Sequence, residues 1–290
     1  MLVATRAIVG PACWHVGDLV WRLFLHGIRH DLAATHQLWE DETGMLLGFA
    51  VFSPPRTMTA AFELQVHPQA RGRGIEDAML DWVEARWREA AEPSAAPLRL
   101  STDAGVYEDD MAQLAALARR GFARTGNDGL LLQRRLADLF PAPSLPAGYA
   151  VRPIAGEHEI PQRAGAHREA FHPSRVTDES YARLMGTAGY ERDLDLVAIA
   201  PDGKFAAFCI GWLDEVNRVG EFEPVGTCPT YRRRGLAQAV LLEGLRRMCE
   251  RGAESAIVGP IDATDDDVLA LYRSVGFRPI SRVYAFVKQP

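Results

Sequence analysis

The chain has 290 residues, which exceeds an ordinary single domain and suits two domains of about 140 residues each. Hydrophobic residues make up 48% and charged residues 24%, a composition that excludes disordered and fibrous proteins. The formal net charge of −6 argues against nucleic-acid binding, which needs clustered Lys and Arg in excess, and favours a small cationic or neutral partner.

The sequence also bears on membranes, compartment and metals. No apolar stretch approaches the ~20 residues of a membrane span, and the N-terminus lacks the basic start and long apolar segment of a signal peptide. The four cysteines show no C-x-x-C spacing, which indicates a reducing compartment. We therefore expect a cytoplasmic protein that binds no membrane, and we predict no metal site.

In chain order, the first half mixes strand and helix signals. Hydrophobic periodicity and turn residues predict strands at 2–8, 45–52, 57–66 and 98–101, and helices at 13–25, 74–90 and 111–120. Gly121 and Phe122 then lead into a final pair of strands. The segment Pro141–Pro146 has three prolines in six residues, which predicts a linker.

The second half repeats this order of signals. We predict strands at 149–154, 194–200, 205–212, 220–227, 255–258 and 281–288, and helical regions at 160–185, 235–251 and 266–274. The repeat predicts domains at residues 1–140 and 149–290, with a linker at 141–148. Each domain should be an α/β (α+β) unit with a mixed, mostly antiparallel sheet flanked by helices.

The sharpest motif runs from Thr227 to Ala237, where a strand passes through Pro229 and a basic loop directly into a helix. The first backbone N–H groups of a helix have no internal partners and the helix dipole is positive there, so this geometry suits phosphate. Gly235 allows close approach, and Arg232, Arg233 and Arg234 add positive charge. The alternative is an exposed basic turn before a surface helix.

This segment resembles the acetyl-CoA signature R/Q-x-x-G-x-G/A of the GNAT superfamily, with Arg232, Gly235 and Ala237 in the defining places. Leu271–Phe277 is similar to the family's closing L-Y-x-x-x-G-F element, although Asp265 replaces the usual Asn and Val268 the usual Ala. The resemblance implies two tandem GNAT folds whose fourth and fifth strands splay apart. It also implies an N-acetyltransferase that uses acetyl-CoA as cosubstrate and no metal.

The resemblance implies a set of cofactor-binding residues on the fourth strand and the loop after it. They are Val225, Gly226, Thr227, Arg232, Arg233, Arg234, Gly235, Leu236, Ala237 and Gln238. Pro224 cannot donate to a ladder, which predicts a local irregularity such as a bulge, although an edge strand is the alternative.

Three side chains are candidates for proton transfer. Tyr272 matches the family's general acid for the departing CoA thiolate, or else is a packed core aromatic. An attacking alkylamine must lose a proton, and Glu223 or Glu221 on the cofactor strand could accept it. We favour Glu223 because it lies nearer the signature, but either carboxylate could instead bind the acceptor or be solvated.

The first half departs from the signature at two places. Pro68, Arg71 and Gly74 align with it, but Glu76 stands where Gly or Ala is expected, and its charge would repel a pyrophosphate. Leu117 stands in the position of the closing Tyr. We therefore predict that the N-terminal domain is non-catalytic.

The acceptor is predicted only as a primary amine of a small molecule or peptide, bound by a monomer or homodimer. Phe171, His172, Tyr181 and Tyr190 are candidates for the acceptor side, with packing as the alternative. The tandem arrangement is also similar to mycothiol synthases, which acetylate an amino-sugar cysteine conjugate. A non-catalytic CoA-binding sensor is the alternative from another class.

Overall fold

The computed structural model describes residues 1–55, 57–92, 97–137 and 144–290. Within these ranges the chain forms a six-stranded and an eight-stranded sheet, both mixed and flanked by helices. The predicted fold class is therefore confirmed. The predicted linker at 141–148 lies partly outside the described residues, which resume at Ser144. Among the described helices, none is long and apolar enough to cross a membrane.

The first half supplies five helices and seven strands within the described ranges. The helices are α1 (Leu2–Val9), α2 (Val16–Gly27), α3 (Leu32–Thr35), α4 (Ile75–Ala91) and α5 (Met111–Arg119). The strands are β1 (His36–Glu40), β2 (Leu46–Ser53), β3 (Thr59–Val66), β4 (Arg99–Thr102), β5 (Val106–Tyr107), β6 (Ala123–Arg124) and β7 (Gly129–Arg135).

The strand predicted at residues 2–8 is wrong, because this segment forms helix α1. Its β-branched residues favour a strand, but Leu2 and Arg6 are four positions apart and are both buried on one helical face. The Arg6 guanidinium donates to the carbonyl of Cys13 at 2.8 Å. Tertiary contacts at helical spacing therefore outweigh the local strand preference.

The second half follows the predicted order, except that the helical region at 160–185 forms two helices and the strand at 281–288 forms two strands in different sheets. Its helices are α6 (Ile160–Ala170), α7 (Asp178–Met185), α8 (Leu236–Glu250) and α9 (Asp266–Ser274). Its strands are β8 (Ala150–Pro153), β9 (Asp195–Ile199), β10 (Phe205–Asp214), β11 (Val219–Thr227), β12 (Ser255–Asp262), β13 (Arg278–Tyr284) and β14 (Phe286–Lys288).

The two halves exchange strands. Strand β7 of the first half lies between β12 and β13 in the eight-stranded sheet, and pairs antiparallel with both. The last strand, β14, lies between β4 and β6 in the six-stranded sheet. Each sheet is therefore completed by a strand from the other half of the chain.

Helix α2 also crosses to the second half, where it packs on the same face as α6 and α7. Trp21 of α2 lies in one apolar cluster with Tyr181, Ile210 and Trp212, all of which are buried. At the start of α2, the His15 ring accepts from the backbone N–H of Gly17, and the Asp18 carboxylate accepts from that of His15. This capping box fixes the end of the helix that points into the domain junction.

Strands β11 and β12 pair in parallel only over Val219–Glu221, and then separate. On its other side, β11 changes register against β10, so that Glu223 and Pro224 together face Ile210. Two residues of one strand that face a single residue of its neighbour form a β-bulge. The predicted splay of the fourth and fifth strands, and the bulge at Pro224, are both confirmed.

The strand exchange predicts how fragments of the chain behave. A fragment of residues 147–290 lacks β7, so β12 and β13 would each expose an unpaired edge, which promotes aggregation. We expect this fragment to be insoluble or inactive, as measured by size-exclusion chromatography and acetyl transfer. A fragment of residues 126–290, which keeps β7, should recover solubility at least in part. Full activity from residues 147–290 alone would show that the second half needs nothing from the first.

Candidate active site

The open end of the splay forms part of a cavity of about 330 Å³, which we call the central cavity. Phe222 and Glu223 of β11 line it from one strand, and Val258 and Gly259 of β12 from the other. Tyr272 of α9 also lines it. The structure thus places the proposed base and the proposed acid in the wall of one cavity.

The first half forms the other wall. Asp18 and Arg22 of α2, together with Asp103 after β4, line the same cavity, and Arg22 Nη1 lies 3.0 Å from Asp103 Oδ2. Sequence reasoning missed these three residues. The capping-box position of Asp18 is a local signal, but nothing in the sequence shows that α2 packs beside β11.

Glu223 lies in the bulge and is held there through its backbone. The indole N–H of the buried Trp212 donates to the carbonyl of Glu223 at 2.6 Å. Burial raises the pKa of Glu223 to about 7, and the negative charge of Asp18 adds to this, while Arg22 opposes it. A carboxyl group with this pKa is partly ionised at neutral pH, as a general base requires.

Glu221 points into the domain junction instead. Its Oε2 lies 3.1 Å from His15 Nδ1, and only 2% of the residue is exposed. His15 Nδ1 accepts from Gly17 and His15 Nε2 lies 3.1 Å from the carbonyl of Val219, so the neutral imidazole carries its proton on Nε2. Burial, with the charge of Glu223, raises the pKa of Glu221 to about 8. The bulge therefore separates the two candidate carboxylates, and Glu223 is the one that lines the cavity.

Tyr272 combines a packed ring with an available hydroxyl. Its ring meets that of Phe277 edge-on, with centroids 5.7 Å apart. In the part of the chain that the structure describes, its hydroxyl forms no hydrogen bond with a protein group. Burial raises the pKa of Tyr272 above its usual value, so the phenol stays protonated and can donate.

The signature segment runs from the free edge of β11 to the start of α8. Val225, Gly226 and Thr227 pair with β10 on one side only, since β12 has already diverged. Gly235 has a φ of 75° and begins α8 without a side-chain cap, and no acidic residue lies in the first turn. The N–H groups of this turn are therefore open to an anion.

The side chains of this segment have different surroundings. Arg233 pairs with Asp267 of α9 at 2.9 Å, and Arg234 donates to the Tyr149 hydroxyl at 2.7 Å. Arg232 is exposed and reaches back to the carbonyl of Thr227 at 3.4 Å. The Leu236 side chain is buried in the core, so only the backbone of this residue can contact a ligand. Ala237 and Gln238 are half-buried.

In the first half, the corresponding loop is occupied by the side chain of Glu76. Gly74 begins α4 with a φ of 92°, as Gly235 begins α8. The Glu76 carboxylate turns back and accepts from the backbone N–H of Gly72 at 2.8 Å. Leu117 is fully buried in the core of this half. A carboxylate therefore occupies the loop where the second half has open donors.

The four acceptor-side candidates lie in three different settings. Phe171 lines a pocket of about 240 Å³, the side pocket, which is also lined by Trp21, His167, Pro224 and Glu223. The Tyr181 and Tyr190 hydroxyls instead donate to the buried Asp195, which also accepts from Arg163. Both tyrosines are thus engaged in the interior, and His172 is exposed. Glu223 lines the central cavity and the side pocket alike.

Metal ligation has no geometric support within the described ranges. They contain no group of three or more His, Cys, Asp or Glu side chains placed to hold an ion. The site that the geometry assembles is a cavity lined by a carboxyl group and a phenol, and the strand that carries the carboxyl group leads on to a helix N-terminus with open N–H groups. This arrangement suits proton transfer beside a bound anion, whereas the fold alone does not fix an activity.

Comparison with known proteins identifies the family. Residues 163–277 match the Acetyltransferase (GNAT) family. The chain is 32% identical over 261 residues to a mycothiol acetyltransferase of Kineococcus radiotolerans, covering 84% of this chain and 78% of that protein. It is 26% identical over 274 residues to the mycothiol acetyltransferase of Mycobacterium ulcerans, covering 83% and 79%. The chain belongs to the GNAT acetyltransferase family and is an acyltransferase.

Solved structures show the same fold over the whole chain. A GCN5-related N-acetyltransferase from Sphaerobacter thermophilus aligns with a TM-score of 0.68 at 21% identity, covering 99% of this chain and 90% of that one. A tandem GNAT protein from the clavulanic acid biosynthesis pathway aligns with a TM-score of 0.69 at 19% identity, covering 99% and 92%. At these identities the similarity shows the tandem fold alone.

The raised pKa of Glu223 predicts the pH dependence of the reaction. If Glu223 is the base, only its ionised form is active, so kcat/KM for an amine should rise with pH up to about 7 and then bend. Glu223→Gln should remove this bend and lower kcat/KM by about 10²–10⁴-fold.

Asp18→Asn provides a matched control for that pH profile. It removes the charge that helps to raise the pKa of Glu223 while keeping a side-chain acceptor for the His15 N–H, so the bend should move to lower pH. An unchanged profile in Glu223→Gln would assign the base to another group.

Proposed function

We propose that this protein transfers the acetyl group of acetyl-CoA to a primary amine of a small molecule or peptide, in the second half of the chain. The observation that carries the proposal is the shared cavity of Glu223 and Tyr272, at the end of a strand that leads into an uncapped helix N-terminus. A proton acceptor, a proton donor and an anion site thus follow one another along the splay.

Each group has a step in this reaction. The pyrophosphate of acetyl-CoA binds the N–H groups around Gly235–Gln238, and the pantetheine arm pairs with the free edge of Val225–Thr227. The amine attacks the thioester carbonyl and gives its proton to Glu223, directly or through water. Backbone N–H near Thr227 stabilises the oxyanion. When the C–S bond breaks, the thiolate takes the proton of Tyr272, and both side chains return to their initial states by exchange with solvent.

We further propose that residues 149–290 form the catalytic domain and that residues 1–140 form a non-catalytic one. The Glu76 carboxylate in the loop before α4 supports this division, because it would have to move and lose its hydrogen bond before a pyrophosphate could bind. The expected stoichiometry is one acetyl-CoA per chain. The catalytic domain is supplemented by β7 and by the first-half wall of the central cavity.

A second candidate narrows the acceptor. The 32% identity to a mycothiol acetyltransferase, over most of both chains, favours an amino-sugar cysteine conjugate. Release of CoA, followed with a thiol reagent, would test both proposals when such a conjugate is compared with a panel of simple amines. No release with any amine, at any pH between 6 and 9, would leave the general proposal without support.

The cytoplasmic compartment and the oligomeric state, monomer or homodimer, remain predictions. All four cysteines are free thiols, three of them buried, which supports a reducing compartment. Cys209 and Cys228 lie in apolar clusters, as small core residues do.

The open terminus of α8 predicts how the cofactor is bound. Gly235→Val would force a β-branched residue into a φ of 75° and obstruct the loop, so the Kd for CoA should rise by about tenfold or more. Gly74→Val is the matched control, because it puts the same strain at the start of α4 and should leave Kd unchanged. Calorimetry with thermal melts would separate lost binding from lost folding. Equal losses in both variants, or two sites per chain in the unmodified protein, would contradict the assignment.

The free hydroxyl of Tyr272 predicts a defect in turnover. Tyr272→Phe keeps the ring packed against Phe277 but removes the proton donor, so kcat should fall by about 10²–10⁴-fold. The KM for acetyl-CoA should change little, since only the departing thiolate needs the hydroxyl. Wild-type turnover in this variant would make Tyr272 a packing residue.

A further inference from the structure

The side pocket continues outward from Glu223 into a second space. An adjoining pocket of about 520 Å³, the outer pocket, is lined by Arg29, His30, Pro54, Pro55, Pro173 and Arg175. Three of these residues, Arg29, Pro173 and Arg175, also line the side pocket. The two pockets therefore adjoin, and their lining passes from the aromatic residues of the side pocket to the arginines that both pockets share.

The charge of the outer pocket differs from that of the central cavity. Asp18, Asp103, Asp128 and Asp262 all line the central cavity, whereas no acidic side chain in the described ranges lines the outer pocket. Two of the six residues that line the outer pocket are arginines. The two ends of the space around Glu223 thus favour charges of opposite sign.

Arg29 and Arg175 also lack the partners that neighbouring arginines have. Arg22, on the preceding helix, pairs with Asp103 at 3.0 Å, and Arg168, close to Arg175 in the chain, pairs with Asp178 at 3.1 Å. Among the described residues, neither Arg29 nor Arg175 forms an ion pair or a side-chain hydrogen bond. The two guanidinium groups are thus left for a group from outside the chain.

The backbones that carry these arginines are held in place. The backbone N–H of Arg29 donates to the carbonyl of His26, in the last turn of α2, at 2.9 Å. This hydrogen bond ties the backbone of Arg29 to the end of the helix. Next to Arg175, the Val176 N–H donates to Ser174 Oγ at 3.3 Å and the Val176 carbonyl accepts from Arg168 at 3.0 Å. One arginine comes from each half, so the pockets that they share lie between the two halves.

We propose that the outer pocket binds an anionic group, a carboxylate or a phosphate, at the far end of the acceptor whose amine faces Glu223. This proposal rests on the proposed acetyl transfer and narrows the general acceptor, a small-molecule or peptide amine, to one that carries a separated anion. It therefore competes with the second candidate acceptor, the amino-sugar cysteine conjugate. Guanidinium groups bind both oxyanions through paired N–H donors, which sets the orientation of the molecule as well as its affinity.

Matched acceptor pairs test this proposal. We would compare 4-aminobutyrate with butylamine, and O-phosphoethanolamine with ethanolamine, in the full-length protein with saturating acetyl-CoA. The proposal expects the charged member of at least one pair to be preferred, and the pair that responds distinguishes carboxylate from phosphate. In Arg29→Ala and Arg175→Ala, kcat/KM for that charged acceptor should fall by about tenfold or more while the neutral partner is unaffected.

Controls separate this subsite from general effects. Arg183→Ala, in α7 and beside a different pocket, should leave the rates with both acceptors unchanged. Arg29→Lys and Arg175→Lys should keep part of the preference that the alanine variants lose. The proposal is overturned by a neutral amine that is preferred in both pairs, by equal losses for charged and neutral acceptors, or by a rise confined to the KM for acetyl-CoA.

A binding measurement tests the anion subsite separately from the acetyl transfer. Calorimetric titration of O-phosphoethanolamine and of 4-aminobutyrate into the CoA complex should show binding of at least one that is lost in the Arg29→Ala Arg175→Ala double variant. Such binding without acetyl transfer to any amine would contradict the proposed function alone. No binding of either zwitterion to the unmodified protein, together with transfer to neutral amines, would contradict the subsite alone.

Discussion

The exchange of β7 and β14 is the constraint on which the rest of the molecule depends. Because β7 lies between β12 and β13, the two halves cannot separate without breaking hydrogen-bonded ladders in a sheet whose core is fully buried. The halves are therefore held in one relative position, and α2 of the first half can pack directly beside β11. That contact places Asp18 and Arg22 within the wall of the cavity that contains Glu223.

The junction concentrates acidic groups around Arg22. Glu63 and Asp18 carry pKa values raised to about 8 and about 7, chiefly by burial, and both face Arg22. Close carboxylates in a buried site cannot all ionise, so a proton shared among them lowers the charge that the junction must hold. The basicity of Glu223 is thus set by residues of both halves, and the first half contributes to the site even though its own signature loop is filled.

The sequence allowed good predictions wherever the signal was local. The helix after Gly235 and the irregular strand at Pro224 were predicted, because periodicity, turn residues and a proline lie within short segments. The splay of β11 from β12 was implied by the resemblance to the GNAT family. Strand exchange was not predicted, because β7 and β14 have ordinary strand patterns that do not specify a partner. Asp18, Arg22 and Asp103 were missed for the same reason, since only long-range packing brings them to Glu223. Helix α1 was misassigned because buried contacts outweighed its β-branched residues.

The two halves differ most sharply at one carboxylate. Glu63 lies five residues before Pro68, and Glu223 six residues before Pro229, so the second strand has one extra residue. In the first half β2 and β3 keep a continuous register, and Glu63 is satisfied by the backbone N–H of Ala104. In the second half the extra residue is the bulge, which Trp212 holds through the Glu223 carbonyl. Glu63 is therefore held against the backbone on a regular strand, whereas the bulge places Glu223 in the wall of a cavity that a substrate can enter. One inserted residue, with a tryptophan to hold it, therefore adds to Glu76 and Leu117 as a physical basis for the asymmetry that we propose between a silent and an active domain.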